Sequence, residues 1–256
     1  MKVVILAGGR GTRIGEESSL KPKPMIEIGG QPILWHIMKH YSSYGFHEFV
    51  ICCGYKGDMI KDYFANYYMH HMDVTFDFTA GGKMSIHTDV VEPWKVTLVD
   101  TGLDAMTGAR IRKVRKYLGE ETFMLTYGDG VSDVDLKQLL QFHKEQKAVG
   151  TLTAIQPEGR FGILDISSEK KITNFEEKGK ESGGWINGGF MVLEPEVFDY
   201  IGEGEDVIFE RTPLERLATE GRLAAYQHHG FWHCMDTMQD KNHLNQLWDA
   251  GNCCWL

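Results

Sequence analysis

Hydrophobic and polar positions along the chain switch repeatedly between two periods. KVVILA at 2–7 is a continuous apolar run, whereas PILWHIMKHYSSYG at 32–45 sets Ile33, Leu34, Ile37, Met38 and Tyr41 on one helical face. The first predicts a strand and the second a helix. EFVICCGY predicts another strand, and GDMIKDYFANYYMHH predicts a helix with Met59, Ile60, Tyr63, Phe64 and Tyr67 on its apolar side. VTFDFTA and WKVTLVDTG flank the polar stretch GGKMSIHTDVVEP, whose short alternation predicts a hairpin or extended loop. In GARIRKVRKYLG, Ile111, Val114 and Leu118 share a face that stops at Gly119, and TFMLTYGDG is a buried strand ending in an acidic turn.

After DVDLKQLLQFHKEQ, a helix that Asp133 or Asp135 would cap, the pattern turns to strands: VGTLTAI, FGILDI, ITNFEEK and GWINGGFMVL. Helices near Pro213–Glu220 and Met238–Trp248 lie on either side of LAAYQHHGFWHCMD. Strand–helix alternation of this kind predicts an α/β fold with a mainly parallel sheet and helices on both faces. At 256 residues with no internal repeat or linker, the expectation is one domain. Its nucleotide half would run to about residue 135, and a partner-substrate half with the last helices would follow over 136–256.

Charge narrows the function. The 27 basic and 36 acidic residues leave a net charge of −9, which argues against nucleic-acid or anionic-membrane binding. Any anion site must be a local concentration of cations. No apolar stretch nears the roughly 18–20 residues of a membrane span, and MKVVILAGG is too short for a secretory leader. The five cysteines, two adjacent pairs and Cys234, show no C-x-x-C spacing, so reduced thiols in the cytoplasm are expected.

Ligands of open parallel sheets bind at the carboxyl ends of strands, so residues that end strands carry the chemistry. AGGRGTR follows the first strand and presents backbone N–H groups and a cation, as a phosphate chain requires. Its glycines do not spell G-x-G-x-x-G, which disfavours a nicotinamide or flavin oxidoreductase, and no G-K-[ST] makes it a Walker loop. Pro22 and Pro24 hold Lys23 out of a helix on a stiff, extended segment. Asp129 lies between two glycines at a strand end, where a carboxylate approaches a metal or phosphate with little steric cost, although an Asp-Gly turn alone explains it. Asp236 or Thr237 would cap the last helix; the pair Asp129 and Asp236 would also suit a hard divalent cation on a triphosphate. Glu177, Lys178, Asn187 and Gly188 could meet a sugar phosphate, against the plain reading of a charged hairpin. The histidines of MHHM and HHGFWH lack zinc-site spacing and read as structural or surface residues.

LAGGRGTR with KPKPMIEIGGQPILWHIM resembles the amino-terminal signature of the sugar-1-phosphate nucleotidylyltransferases. The likeness continues through VDTGLDAMTGARIRKVRKYLG, FMLTYGDGVSDVDL, GRFGILDI, WINGGFMVLEPEVFDYI and GFWHCMDTMQDKNHLNQLW, which is nearly the whole chain. Within the family it points to the members that use CTP and α-D-glucose 1-phosphate, release pyrophosphate and make CDP-glucose for 3,6-dideoxyhexoses of the lipopolysaccharide O-antigen. The resemblance implies a nucleotide site formed by Leu6, Ala7, Gly8, Gly9, Gly11, Thr12, Arg13, Lys23, Thr107, Arg110 and Gly128. It implies Arg13 and Lys23 as catalytic cations, and Mg2+ on Asp129 and Asp236. The sugar phosphate would lie on Gly162, Glu177, Lys178, Asn187 and Gly188. The nucleotide-diphospho-sugar transferase fold, a Rossmann-like, mixed sheet with small β elaborations, and a homo-oligomer are also implied. Gly179 stands where proline often follows the Glu-Lys pair, and GNCCWL matches no family signature. Uridylyl or thymidylyl transfer on the same scaffold, or a non-catalytic sugar-nucleotide sensor, are the other readings.

Overall fold

Residues 1–87, 92–157, 163–166, 172–176 and 184–256 are described in a computed structural model of the chain. Its first half comprises β1 (Lys2–Leu6), α1 (Glu16–Leu20), β2 (Glu27–Ile28), β3 (Gln31–Pro32), α2 (Ile33–Ser43), β4 (Glu48–Cys53), α3 (Gly57–Ala65), α4 (Tyr67–His71), β5 (Val74–Asp77), β6 (Lys83–Ile86), β7 (Lys95–Asp100), α5 (Thr107–Leu118), β8 (Phe123–Tyr127) and β9 (Gly130–Ser132). There follow α6 (Leu136–Gln146), β10 (Gly150–Ile155), β11 (Ile163–Ile166), β12 (Ile172–Glu176), β13 (Ile186–Asn187), β14 (Met191–Leu193), α7 (Thr212–Thr219), β15 (Leu223–His228), β16 (Trp232–Cys234) and α8 (Met238–Asp249).

One sheet of eight strands runs β13-β10-β14-β8-β1-β4-β7, with β15 also on β10. Strands β8, β1, β4 and β7 are mutually parallel, and β14 enters antiparallel to both β8 and β10. The sheet is therefore mixed, and it takes strands from both sides of residue 135. Alternation along β1 divides the core, because successive side chains of a strand point to opposite faces. Val3 and Ile5 pack with Ile33, Ile37 and Tyr41 of α2, while Val4 and Leu6 pack with Ile111 and Val114 of α5. Trp255 is fully buried in the first of these layers, so its indole anchors the otherwise largely exposed GNCCWL tail to the core.

Local chemistry explains the departures from the sequence pattern. The helix expected over 57–71 breaks at Asn66, whose side-chain amide and backbone N–H both donate to the Asp62 carbonyl, at 2.9 and 3.0 Å. Lys23 is not on an extended segment: Lys23–Met25 forms one 3-10 turn. Prolines are tolerated at the start of a helical turn, where an N–H would have no intrahelical partner. Asp135, not Asp133, caps α6 by accepting from the Lys137 and Gln138 N–H groups. GWINGGFMVL divides into β13 and β14 around Gly189 and Phe190, both at positive φ. The polar stretch after β5 folds back as the β5–β6 hairpin. Among the described residues no helix is long and apolar enough to cross a membrane.

Candidate active site

β1 and β8 lie side by side and in parallel, so both deliver their following turns to one end of the sheet. Two adjoining clefts open there, of about 350 and 200 Å3, sharing Arg13, Tyr127 and Asp129 as common wall. The larger is floored by the glycine turn. Gly8 passes so close to Arg110 that a Cβ there would come within 2.2 Å of the guanidinium, and Gly11 has φ +60 with Lys23 Cβ at 3.0 Å. Neither position accommodates another residue without strain. Leu6, Ala7, Gly8, Gly9, Gly11, Thr12, Arg13, Lys23, Thr107, Arg110 and Gly128 all line this larger cleft.

Arg110 differs from the rest of that set in what its nitrogens do. Its terminal nitrogens donate to the carbonyls of Cys53, Gly102, Gly8 and Leu103 and to Thr101 Oγ1, at 2.6–3.3 Å. Burial lowers its pKa, and its carbonyl acceptors hold the glycine turn against β4 and the loop after β7. Arg110 therefore sets the shape of the cleft rather than offering a free cation to it.

The second group of residues comes together through a short pairing. β9 and β16 run antiparallel with Gly130 opposite Cys234, and the Met235 N–H donates to the Asp129 carbonyl at 2.9 Å. This places Asp129 beside Asp236. Thr237 rather than Asp236 caps α8, in a capping box with Asp240. Asp236 is thereby free to face the cleft. Lys23 Nζ sits between the two carboxylates, 2.7 Å from Asp129 Oδ2 and 2.6 Å from Asp236 Oδ1. Arg13 Nη1 reaches Asp236 Oδ2 at 2.8 Å from a side chain that is 78% exposed.

Burial by itself would lower the Lys23 pKa, but Asp129 and Asp236 outweigh it and hold the ammonium above its ordinary value. Burial would likewise raise Asp236, yet Lys23 and then Arg13 keep it below the usual carboxylate range. Burial and Asp129 push the Cys234 thiol up. Donor atoms of Asp129, Cys234 and Asp236 lie within 4.8 Å of one another, the one such grouping among the described residues.

Asn187 and Gly188 line the smaller cleft, and Trp232 Nε1 donates to the Gly188 carbonyl at 2.7 Å. Gly162, Glu177 and Lys178 lie outside the described residues. The sequence did not single out Tyr127, Glu210 or Cys234. Tyr127 stands where its neighbours do, at the end of a strand and before the acidic turn, so the same positional rule could have found it. Glu210, whose carboxylate receives the hydroxyls of Tyr127 and Thr107 at 2.6 and 2.5 Å, carries no local signal.

The glycine turn, the buried Lys23 and the paired Asp129 and Asp236 thus meet beside the wall between the two clefts. Residues 2–240 match the sequence model of the Nucleotidyl transferase family, and the chain belongs to that family. Over all 256 of its residues it is 54% identical to proteins named glucose-1-phosphate cytidylyltransferase from Salmonella typhi and Salmonella typhimurium, covering 98% of each. Its fold is similar to that of HddC from Yersinia pseudotuberculosis, with a TM-score of 0.70 at 24% identity over 96% of this chain and 99% of that one.

Proposed function

We propose that this enzyme transfers a cytidylyl group from CTP to α-D-glucose 1-phosphate, giving CDP-glucose and pyrophosphate. The observation that carries the chemistry is Lys23, a 9%-exposed ammonium held between Asp129 and Asp236 where the two clefts share a wall. Full-length identity to the Salmonella proteins supports CTP and glucose 1-phosphate as the substrate pair. The larger cleft takes the nucleotide and the smaller the sugar phosphate, with Asn187 and Gly188 at its wall.

In this reading a phosphate oxygen of glucose 1-phosphate attacks the α-phosphorus of CTP in line, and pyrophosphate departs from the opposite side. No covalent enzyme intermediate is required, so positioning and charge stabilisation supply the rate. The glycine turn directs N–H groups at the phosphates. Lys23 and Arg13 neutralise charge that grows on the transferring and leaving phosphates.

The donor set also suits Mg2+: Asp129 and Asp236 offer hard oxygen ligands close together, the type a hard cation prefers over the neighbouring soft sulfur of Cys234. A magnesium ion there would supply positive charge to the triphosphate. The exposed Phe76, Phe78, Met84 and Ile86 of the β5–β6 hairpin fit the expected homo-oligomer, and a role in supplying CDP-linked sugars for O-antigen completes the proposal.

The test is pyrophosphate release with glucose 1-phosphate and Mg2+, run in parallel with CTP, UTP, dTTP, ATP and GTP. Strong preference for CTP is expected. Preference for UTP or dTTP would overturn the cytidylyl assignment, and no release from any nucleotide would leave the sensor reading.

A further inference from the structure

Behind the wall between the clefts runs a chain of hydrogen bonds whose directions are fixed by one residue. A carboxylate has acceptors only. Glu210 Oε1 therefore receives the Tyr127 hydroxyl proton at 2.6 Å, and Oε2 receives that of Thr107 at 2.5 Å. Burial, then the Glu210 charge, raises the Tyr127 pKa, so the phenol keeps the proton it donates. With its O–H directed at Glu210, the Tyr127 oxygen accepts from Asn187 Nδ2 at 3.1 Å. This decides which way round the Asn187 amide sits, because its Oδ1 then accepts from the Gly189 N–H at 3.0 Å. On the other arm Thr107 Oγ1 accepts from the Phe209 N–H at 2.9 Å. One arm ends in the smaller cleft at Asn187, and the other in the larger at Thr107.

We infer that Glu210 is a positioning residue that orients Asn187 for the sugar phosphate and Thr107 for the nucleotide, tying the two subsites to one carboxylate. The inference rests on the reading of the two clefts as nucleotide and sugar sites. Glu210 itself lines neither cleft and acts only through the two hydroxyls.

Glutamine in its place keeps the shape and exchanges one acceptor for a donor. If the new N–H2 faced Tyr127, the phenol would have to turn its proton toward Asn187, whose amide could follow only by abandoning the Gly189 N–H. If it faced Thr107, that hydroxyl would lose its acceptor and would have to turn its proton away, taking the new N–H on its second lone pair beside the Phe209 N–H. Either outcome misaligns one subsite, whereas Tyr127→Phe cuts the sugar arm alone.

The experiment is steady-state kinetics on Glu210→Gln, Tyr127→Phe and the double variant, with KM for CTP and for glucose 1-phosphate measured separately. Tyr127→Phe is expected to raise KM for glucose 1-phosphate about tenfold, the usual scale for losing a hydrogen bond to a charged group, and KM for CTP less than threefold. Adding Glu210→Gln to Tyr127→Phe is expected to raise the sugar KM less than twofold further, since both act through one chain. Should Glu210→Gln fail to fold, Glu210→Asp, which keeps the charge but withdraws the carboxylate by one methylene, takes its place in the same comparison. Equal effects of Tyr127→Phe on both KM values, or full multiplication of the single effects in a double variant, would overturn the inference and leave Glu210 a packing residue. Wild-type protein inactive with CTP and glucose 1-phosphate would instead remove the functional reading and this inference with it.

Discussion

Replacing Lys23 by methionine keeps the length of the side chain and removes its charge. In the wild type the ammonium is shared by Asp129 at 2.7 Å and Asp236 at 2.6 Å. Without it, two carboxylates whose ligand oxygens are no more than 4.8 Å apart face each other directly. At an effective dielectric of about 20, that repulsion is about 3.5 kcal/mol. Asp129 and Asp236 are 29% and 19% exposed and Arg13 still contacts Asp236, so water and that cation screen part of it. A net loss of about 1–2 kcal/mol in stability is expected from urea unfolding in EDTA. Mg2+ should restore more stability to the variant than to the wild type, because the ammonium no longer competes for the carboxylates. Turnover should fall at least about a hundredfold, equivalent to about 3 kcal/mol, as for loss of one preorganised charge. A variant as stable as wild type in EDTA would refute the electrostatic account, and turnover within threefold of wild type would remove Lys23 from the reaction.

Gly8→Ala should displace the Arg110 guanidinium, 2.2 Å from the new methyl position, and raise KM for CTP at least about tenfold; unchanged CTP binding would show that the turn relaxes freely. Trp255→Ala should cost about 3–5 kcal/mol in chemical unfolding, since a fully buried indole leaves a cavity and the His36 Nδ1 that accepts its N–H at 3.2 Å loses its donor. Burial lowers the pKa of both His36 and His40 below 6.5, against the opposing effect of their backbone carbonyl partners. The unfolded chain binds protons there first, so their contribution to stability is complete above pH 6.5 and declines as pH falls from 6.5 toward the folded-state values. Urea midpoints that do not fall between pH 7.5 and 5.5, or a slope unchanged by His40→Gln, would contradict this.

Features written in one local stretch were legible in the sequence. β1 follows from an unbroken apolar run, the glycine turn from the residues after it, and α2 and α5 from apolar positions three and four apart. The strand-end rule located the glycine turn and the Asp129 turn, whereas Thr107 and Arg110 entered only through the family resemblance; the fold gathers all of them on one cleft. What was illegible depended on pairing or competition. Nothing near Asp129 announces Asp236; a three-residue pairing of β9 with β16 brings them together. The Asn66 break left no mark because the apolar spacing continues through it. Pro22 and Pro24 suggest an extended segment at Lys23 because proline breaks helix interiors, whereas at the head of a single turn it fits. Glu210 is one glutamate among many until the fold sets it between two hydroxyls.

Lys23 meets carboxylates 106 and 213 positions away in the chain. Such contacts require very large loops to close, and that entropy must be spent before the charges gain anything from meeting. The reactive centre consequently belongs to the last stages of refolding. Recovery of turnover should lag behind recovery of helical signal after dilution from denaturant, and a burst of activity ahead of native tryptophan fluorescence should never be seen.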